Sequence, residues 1–280
     1  MSLRVRSGLL IVCAAGALAA HACGGSPTSP GPQPQPTPNA PPVIESIAVD
    51  PARVEVDSDV TVTATVRDAE TPVSQLTYQW TAAAGTFTGQ GATVTWRVPE
   101  GSPTPQSYTL TLTVVERYGS SGAQEHRVSG TSPAVRVHDS EHELSELALD
   151  FLGDFVDNSV PAATAVRNFA DSCDGKADEL VDVQRIRDHY EVVSSSFSIR
   201  SVELNAERTM GTISASCAFD SYVRSCPSDV PGCVADTIDR PRGECVFTAR
   251  YEQDRWWLCS SRFLTTDILS PAMRAMLGVR

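Results

Sequence analysis

The spacing of apolar residues changes twice along this chain, and each change selects a different architecture. From Val43 to about Val137, short runs alternate apolar and polar residues: 44–49, 54–56, 60–66, 76–80, 93–98, 108–115 and 134–137. Turn formers separate them, among them Asp50-Pro51, Asp57-Ser58-Asp59, Gly85, Gly89-Gln90-Gly91 and Pro99-Glu100-Gly101. A period of two places alternate side chains on opposite faces of a strand, so each run buries one face only. Many short strands at such intervals predict a β-sandwich over residues 43–138.

At Asp139 the period lengthens. Ser140 and Glu143 form a capping box, and Leu144, Leu147, Ala148, Phe151, Leu152, Phe155 and Val156 follow at spacings of three and four. That is one apolar stripe on a helix. Further helical stretches are expected near 162–170 and 178–193, the latter with Leu180, Val183, Ile186, Tyr190 and Val193 on one face. After Ser194-Ser195-Ser196 the period returns to two, predicting strands at 197–204, 209–223, 244–252 and 256–264. On the core face these strands would carry Ile213, Ala215, Cys217 and Phe219, then Cys245, Phe247, Ala249 and Tyr251, then Trp257, Cys259, Ser261 and Phe263. Residues 139–280 thus read as an α+β domain, and the chain as multidomain.

Two resemblances sharpen this reading. Tyr78-Gln79-Trp80, Gly85, Gly89, residues 93–96 and residues 109–114 resemble the immunoglobulin-like domains of the polycystic-kidney-disease type (PKD-like) on bacterial surface proteins, with Glu116 and Gly119 where that pattern carries Asp and Gly. Helices followed by an antiparallel meander ending in Asp254-Arg255-Trp256-Trp257-Leu258-Cys259 resemble the cone fold of the nuclear-transport-factor-two and ketosteroid-isomerase superfamily. Arg255 and Cys259 stand where that family has Gly and Ile. The resemblance implies a curved sheet wrapped around helices, with a pocket inside. Trp80 is expected to pack in the sandwich core.

The N-terminus adds an address. Arg4 and Arg6 precede an apolar stretch from Leu9 to Ala20 that is too short to span a bilayer, and small residues lead to Cys23. Leu18-Ala19-Ala20-His21-Ala22-Cys23 resembles a bacterial lipoprotein signal, which implies removal of residues 1–22 and acylation of Cys23. An ordinary signal peptidase cutting the same bond would instead give a soluble secreted protein. Residues 23–42 hold the anchor and a proline-rich tether that is extended rather than folded. The expected partners are then the membrane, through that lipid, and an envelope protein, a glycan or a small apolar ligand at the outer membrane or cell surface.

Composition narrows the partners further. The formal net charge of −12 becomes two units more negative once Arg4 and Arg6 leave, and Lys176 is the single lysine. Nucleic acid, which needs a clustered basic surface, is excluded. Of eight cysteines, Cys173, Cys217, Cys226, Cys233, Cys245 and Cys259 fall in the distal part. In an exported chain they predict three disulfides, with fifteen pairings open and Cys226 with Cys233 the local bridge expected from their spacing around Pro227 and Pro231. No CxxC pair occurs, so neither a metal nor a cofactor is expected.

Catalytic signals are sparse. His189 and Tyr190 on the third helix, with Asp157, are the candidates for acid–base work, and Tyr222 or Tyr251 could join them. Asp68 and Glu70 read as loop acids, too few for calcium. The excursion at 224–243, with Cys226, Pro227, Pro231, Cys233 and Pro241, reads as a stapled insertion or a rigid contact loop. The function expected is non-enzymatic binding or scaffolding at the cell envelope, the alternative a cone-fold isomerase or dehydratase acting on a small apolar molecule.

Overall fold

The computed structural model describes residues 38–228 and 230–265. The expected signal, Cys23 and the tether as far as residue 37 lie outside the described residues. Residues 43–138 form ten strands: β1 (Val43–Asp50), β2 (Arg53–Glu55), β3 (Asp59–Arg67), β4 (Thr77–Thr81), β5 (Thr86–Thr88), β6 (Thr93–Arg97), β7 (Gln106–Tyr108), β8 (Thr111–Tyr118), β9 (Gln124–Thr131) and β10 (Val135–His138). They build three sheets, in the orders β1-β3-β6-β5, β4-β8-β9 and β2-β10-β7. In β3, Val60, Val62 and Ala64 point inward and Thr61, Thr63 and Thr65 outward. The same alternation in β6 and β8 makes one shared core of Val60, Val62, Val94, Trp96, Leu112 and Val114. Each large side chain buried there stabilises the fold by about 1.5–3 kcal/mol.

Two expectations need correcting here. The fully buried tryptophan is Trp96, whose Nε1 donates to the Ala84 carbonyl at 3.1 Å. Trp80 is half-buried at the edge of the same core, stacked on Phe87, with Nε1 donating to Gly91. Strand β9 was not foreseen, because Gln124-Glu125-His126-Arg127 carries no apolar alternation. Its pairing with β8 along the whole of both strands makes it a strand regardless.

Residues 140–264 supply α1 (Ser140–Val156), α2 (Ala162–Ala165), α3 (Gly175–His189), β11 (Tyr190–Leu204), β12 (Met210–Val223), β13 (Thr237–Asp239), β14 (Arg242–Glu252) and β15 (Arg255–Leu264). The sheet runs β11-β12-β14-β15, all antiparallel, with β13 added at the end of β12. Leu144, Leu147, Ala148, Phe151 and Leu152 of α1 join a second apolar core with the inward face of that sheet. The helix cap lies one residue earlier than expected. Asp139 is the N-cap, accepting from His142 N, and Glu143 reaches back to Asp139 N at 3.1 Å. Ser140 is thereby freed for a buried role.

Helix α3 differs from its sequence reading. Its buried residues are Glu179, Val183 and Ile186, while Leu180 and Val181 are exposed. The backbone turns extended at Tyr190, so Val193 lies exposed at a register shift in β11, and Ser194-Ser195-Ser196 belong to that strand. In β15 a second shift, beside Thr248 and Ala249, reverses the faces: Trp256 and Leu258 point inward, then Ser261 and Phe263 face the core. Trp257, expected inside, instead lies under the Arg255 guanidinium, 3.8 Å from its carbon to the ring centre.

The two regions meet with no linker, because β10 ends at His138 and Asp139 already caps α1. Glu55 of β2 accepts from both the amide and the hydroxyl of Ser140, each at 2.9 Å, and Trp256 Nε1 donates to the same hydroxyl at 3.1 Å. Arg136 pairs with Asp254 at 2.8 Å.

Candidate functional site

Of the residues expected to carry acid–base chemistry, the neighbours His189 and Tyr190 meet edge-on, with ring centres 6.5 Å apart, and the others hold separate partners. His189 ends α3, with Nδ1 2.8 Å from the Ser225 hydroxyl, while its carbonyl accepts from the amides of Arg224 and Ser225. Tyr190 is fully buried in a satellite cluster with Ile186, Val223 and Val230. Asp157 lies exposed after α1, accepting from the hydroxyl and amide of Ser159, and these bonds hold its carboxyl below the usual range. Tyr222 donates to Asp236 at 2.6 Å, which pushes its phenol up. Tyr251 faces the other region and meets His138. Of the five, Tyr251 packs half-buried against the main core of the α+β part and Tyr190 sits in the satellite cluster, while the other three line neither.

That interior is packed with aromatic rings. Phe151 meets Phe169 and Phe247 edge-on, and Phe219 meets Phe155, Phe197 and Phe263, all at centroid distances of 5.0–6.0 Å. The cavity left between them measures about 40 Å³ and is lined by Phe151, Phe155, Phe219, Phe247, Phe263 and Ser261, with Leu152, Cys245 and Arg262. A drug-sized ligand needs roughly 300 Å³ or more. Room for a water or two is what remains.

Besides Arg262, a carboxyl reaches this wall, and sequence reading missed it. Glu179 of α3 is 8% exposed and accepts from the Ser261 hydroxyl at 2.6 Å. Burial pushes its carboxyl up to about 7; the Ser261 bond acts against this and the neighbouring Asp182 reinforces it. The signal was present. Glu179, Val183, Ile186 and Tyr190 fall at spacings of four, three and four, a better inward stripe than one through Leu180. An acid was simply not expected on it.

The cysteines pair as Cys173–Cys259, Cys217–Cys245 and Cys226–Cys233, the last being the bridge expected from spacing. Cys217 and Cys245 join adjacent strands inside the core, and Cys173–Cys259 ties the segment before α3 to β15. Gly175 then lies so close to β15 that a side chain there would strike the Cys259 carbonyl. The excursion after β12 is held at several points. Val230 inserts beside Tyr190 and Ile186, Arg224 donates to the carbonyls of Arg187 and Tyr190, and β13 pairs back onto β12. Val234 and Ile238 remain exposed on it, at 63% and 49%.

Among the described residues no helix is long and apolar enough to cross a membrane, and no group of three or more His, Cys, Asp and Glu is placed to hold a metal ion. Asp68 Oδ1 instead caps its own loop, accepting from the amides of Glu70 and Thr71.

No family model and no curated protein matches the chain. Solved structures similar to it include a ketosteroid isomerase-like protein from Erwinia carotovora atroseptica, at 8% identity, covering 46% of this chain and 98% of that one, with a TM-score of 0.38. The intermembrane-space region of chloroplast protein ARC6 is similar at 12% identity, covering 43% of this chain and 96% of that one, with a TM-score of 0.32. A protein of unknown function with a cystatin-like fold from Nostoc punctiforme is similar at 12% identity, covering 46% and 92%, with a TM-score of 0.32. Each spans a little under half of this chain, and the remainder is rich in sheet.

Proposed function

We propose that this chain is an exported, lipid-anchored protein of the bacterial cell envelope that binds or scaffolds rather than catalyses. The observation that carries the reading is the filled interior of the α+β part, where a cavity of about 40 Å³ has no room for a substrate, while the larger clefts, of about 570 and 530 Å³, lie open along the outer face of α3. Residues 43–138 serve as a PKD-like, immunoglobulin-like spacer above the tether, and residues 139–280 as a cone-like recognition module. The stapled excursion at 224–243 offers the contact surface. Its backbone is already ordered by a disulfide, a strand pairing and the Val230 anchor, so little entropy remains to be lost on binding.

Three disulfides suit an oxidising compartment, which supports export. The anchor is tested at Cys23. Mass spectrometry of the mature protein should find an acylated Cys23 at the N-terminus, and Cys23→Ala should shift the protein from the membrane to the soluble fraction. Soluble wild-type protein with an unmodified N-terminus would end the anchored reading. Turnover of apolar carbonyl compounds by the purified protein, lost in His189→Ala, would end the non-enzymatic one.

A further inference from the structure

Helix α3 is thinly attached for its length. Of its fifteen residues only Glu179, Val183 and Ile186 are buried, so an acid supplies a third of its inward face. Its N-terminal end is fixed covalently by Cys173–Cys259, with Gly175 seated against β15. Its C-terminal end supports the excursion, because the carbonyls of Arg187 and His189 receive Arg224 and Ser225. Glu179, bonded to Ser261, sits between these two ends.

We propose that α3 is a pH-operated clamp on β15: with its proton, Glu179 seats the helix, and without it, the helix and the base of the excursion open from the sheet while the disulfide keeps the N-terminal end in place. A neutral carboxylic acid shares its buried site with the Ser261 hydroxyl at small cost, whereas a carboxylate there needs a cation. The hydrogen-bond partner of Glu179 is the neutral Ser261 hydroxyl rather than a cation, and Arg185 of the same helix acts on Asp182. On α3 itself Asp178 and Asp182 carry the same sign, and Lys176 is engaged with Asp171. On β15, Arg262 is exposed although it lines the cavity beside Ser261, and Arg255 stacks on Trp257. Helix α2 carries no ionisable side chain, and the turn after it carries Arg167, which is paired with Asp154. Tyr190 and Glu191 of β11 lie at the far end of α3.

The sign follows from the direction of the shift. The native carboxyl holds its proton from the ordinary value of 4.5 up to about 7, a window in which the unfolded chain has lost it. The seating is therefore complete below about 4.5, weakens as pH rises through that window and is lost beyond about 7.

The test is hydrogen exchange of the disulfide-intact protein at pH 5.5 and 8.5, corrected for intrinsic amide rates. Amides of α3 should lose more than tenfold in protection at the higher pH, while those of β12 and β14 keep theirs. Glu179→Gln, which cannot ionise, should hold α3 at its acid-side protection at both values. Ser261→Ala removes a bond that favours the ionised form, so the loss should move to higher pH. Equal protection of α3 at the two pH values in wild type overturns the clamp, as does an unchanged loss in Glu179→Gln or an unmoved midpoint in Ser261→Ala.

Discussion

The Nε2 atom of His138 lies 2.9 Å from the hydroxyl of Tyr251, 113 residues further along the chain, and this contact joins the last strand of the first region to the sheet of the second. Nδ1 of the same ring lies 2.9 Å from Glu143, so both ring nitrogens of a fully buried imidazole are engaged. Arg53 covers the Tyr251 ring from the other side, 3.9 Å from its centre. Together with the Glu55–Ser140 hydrogen bonds, these contacts tie residues 43–138 to the sheet of residues 190–264 through buried polar groups.

Tyr251→Phe should therefore lower stability by about 1 kcal/mol, the net worth of one hydrogen bond. His138→Ala should cost more, about 2–4 kcal/mol, because it opens a cavity and takes one hydrogen bond each from Glu143 and Tyr251. Chemical denaturation of both single variants and the double variant checks this. The two changes share a contact, so the double variant should be less destabilised than their sum by about 0.5–1.5 kcal/mol. Strict additivity would mean that His138 and Tyr251 are neighbours without being coupled.

Much of this architecture was legible from period alone. The switch from two to a helical spacing at Asp139 coincides with the start of α1, and the apolar stripe from Leu144 to Leu152 matches its buried face. The errors have local causes. The cap fell on Asp139 rather than Ser140 because either residue can accept from the first turn, and the choice was made by Glu55 and Trp256, distant in sequence, claiming the serine. Trp257 was misplaced because a register shift in β15 reverses the faces, and no residue type announces a bulge there. Glu179 was overlooked because burial of an acid is a property of its surroundings rather than of its sequence position. His189 and Asp157 were singled out for their chemistry, which says nothing about proximity, and the structure gives each a separate partner.

The three disulfides should differ in worth. Cys173 and Cys259 are 86 residues apart, Cys226 and Cys233 only 7. Cross-linking a longer loop removes more entropy from the unfolded chain, about 4.6 against about 2.4 kcal/mol on the chain-entropy account. Replacing the first pair by serine should thus lower stability by about 2 kcal/mol more than replacing the second. Denaturation curves of the two paired variants measure the difference. Equal losses would locate the value of the long bridge in local contacts around α3 rather than in the unfolded chain.

The remaining prediction separates the excursion from the histidine beneath it. His189 is engaged with Ser225 and lies on an open cleft along α3 rather than in the packed interior, so His189→Ala should leave binding within about twofold and stability within about 1 kcal/mol. Shortening the chain between Arg224 and Gly243 removes β13, the exposed Val234 and Ile238, and the Cys226–Cys233 bridge together. The α+β core draws no residue from that stretch, its cluster being built from α1, α2, Phe169, α3 and the long strands. The shortened protein should therefore keep a cooperative unfolding transition and lose its contact surface. Photo-crosslinking from position 234 in intact cells should capture one envelope component, and the shortened chain should compete for none of it. If the shortened chain competes as well as wild type, the excursion is a stabilised insertion and the recognition surface lies elsewhere on the protein.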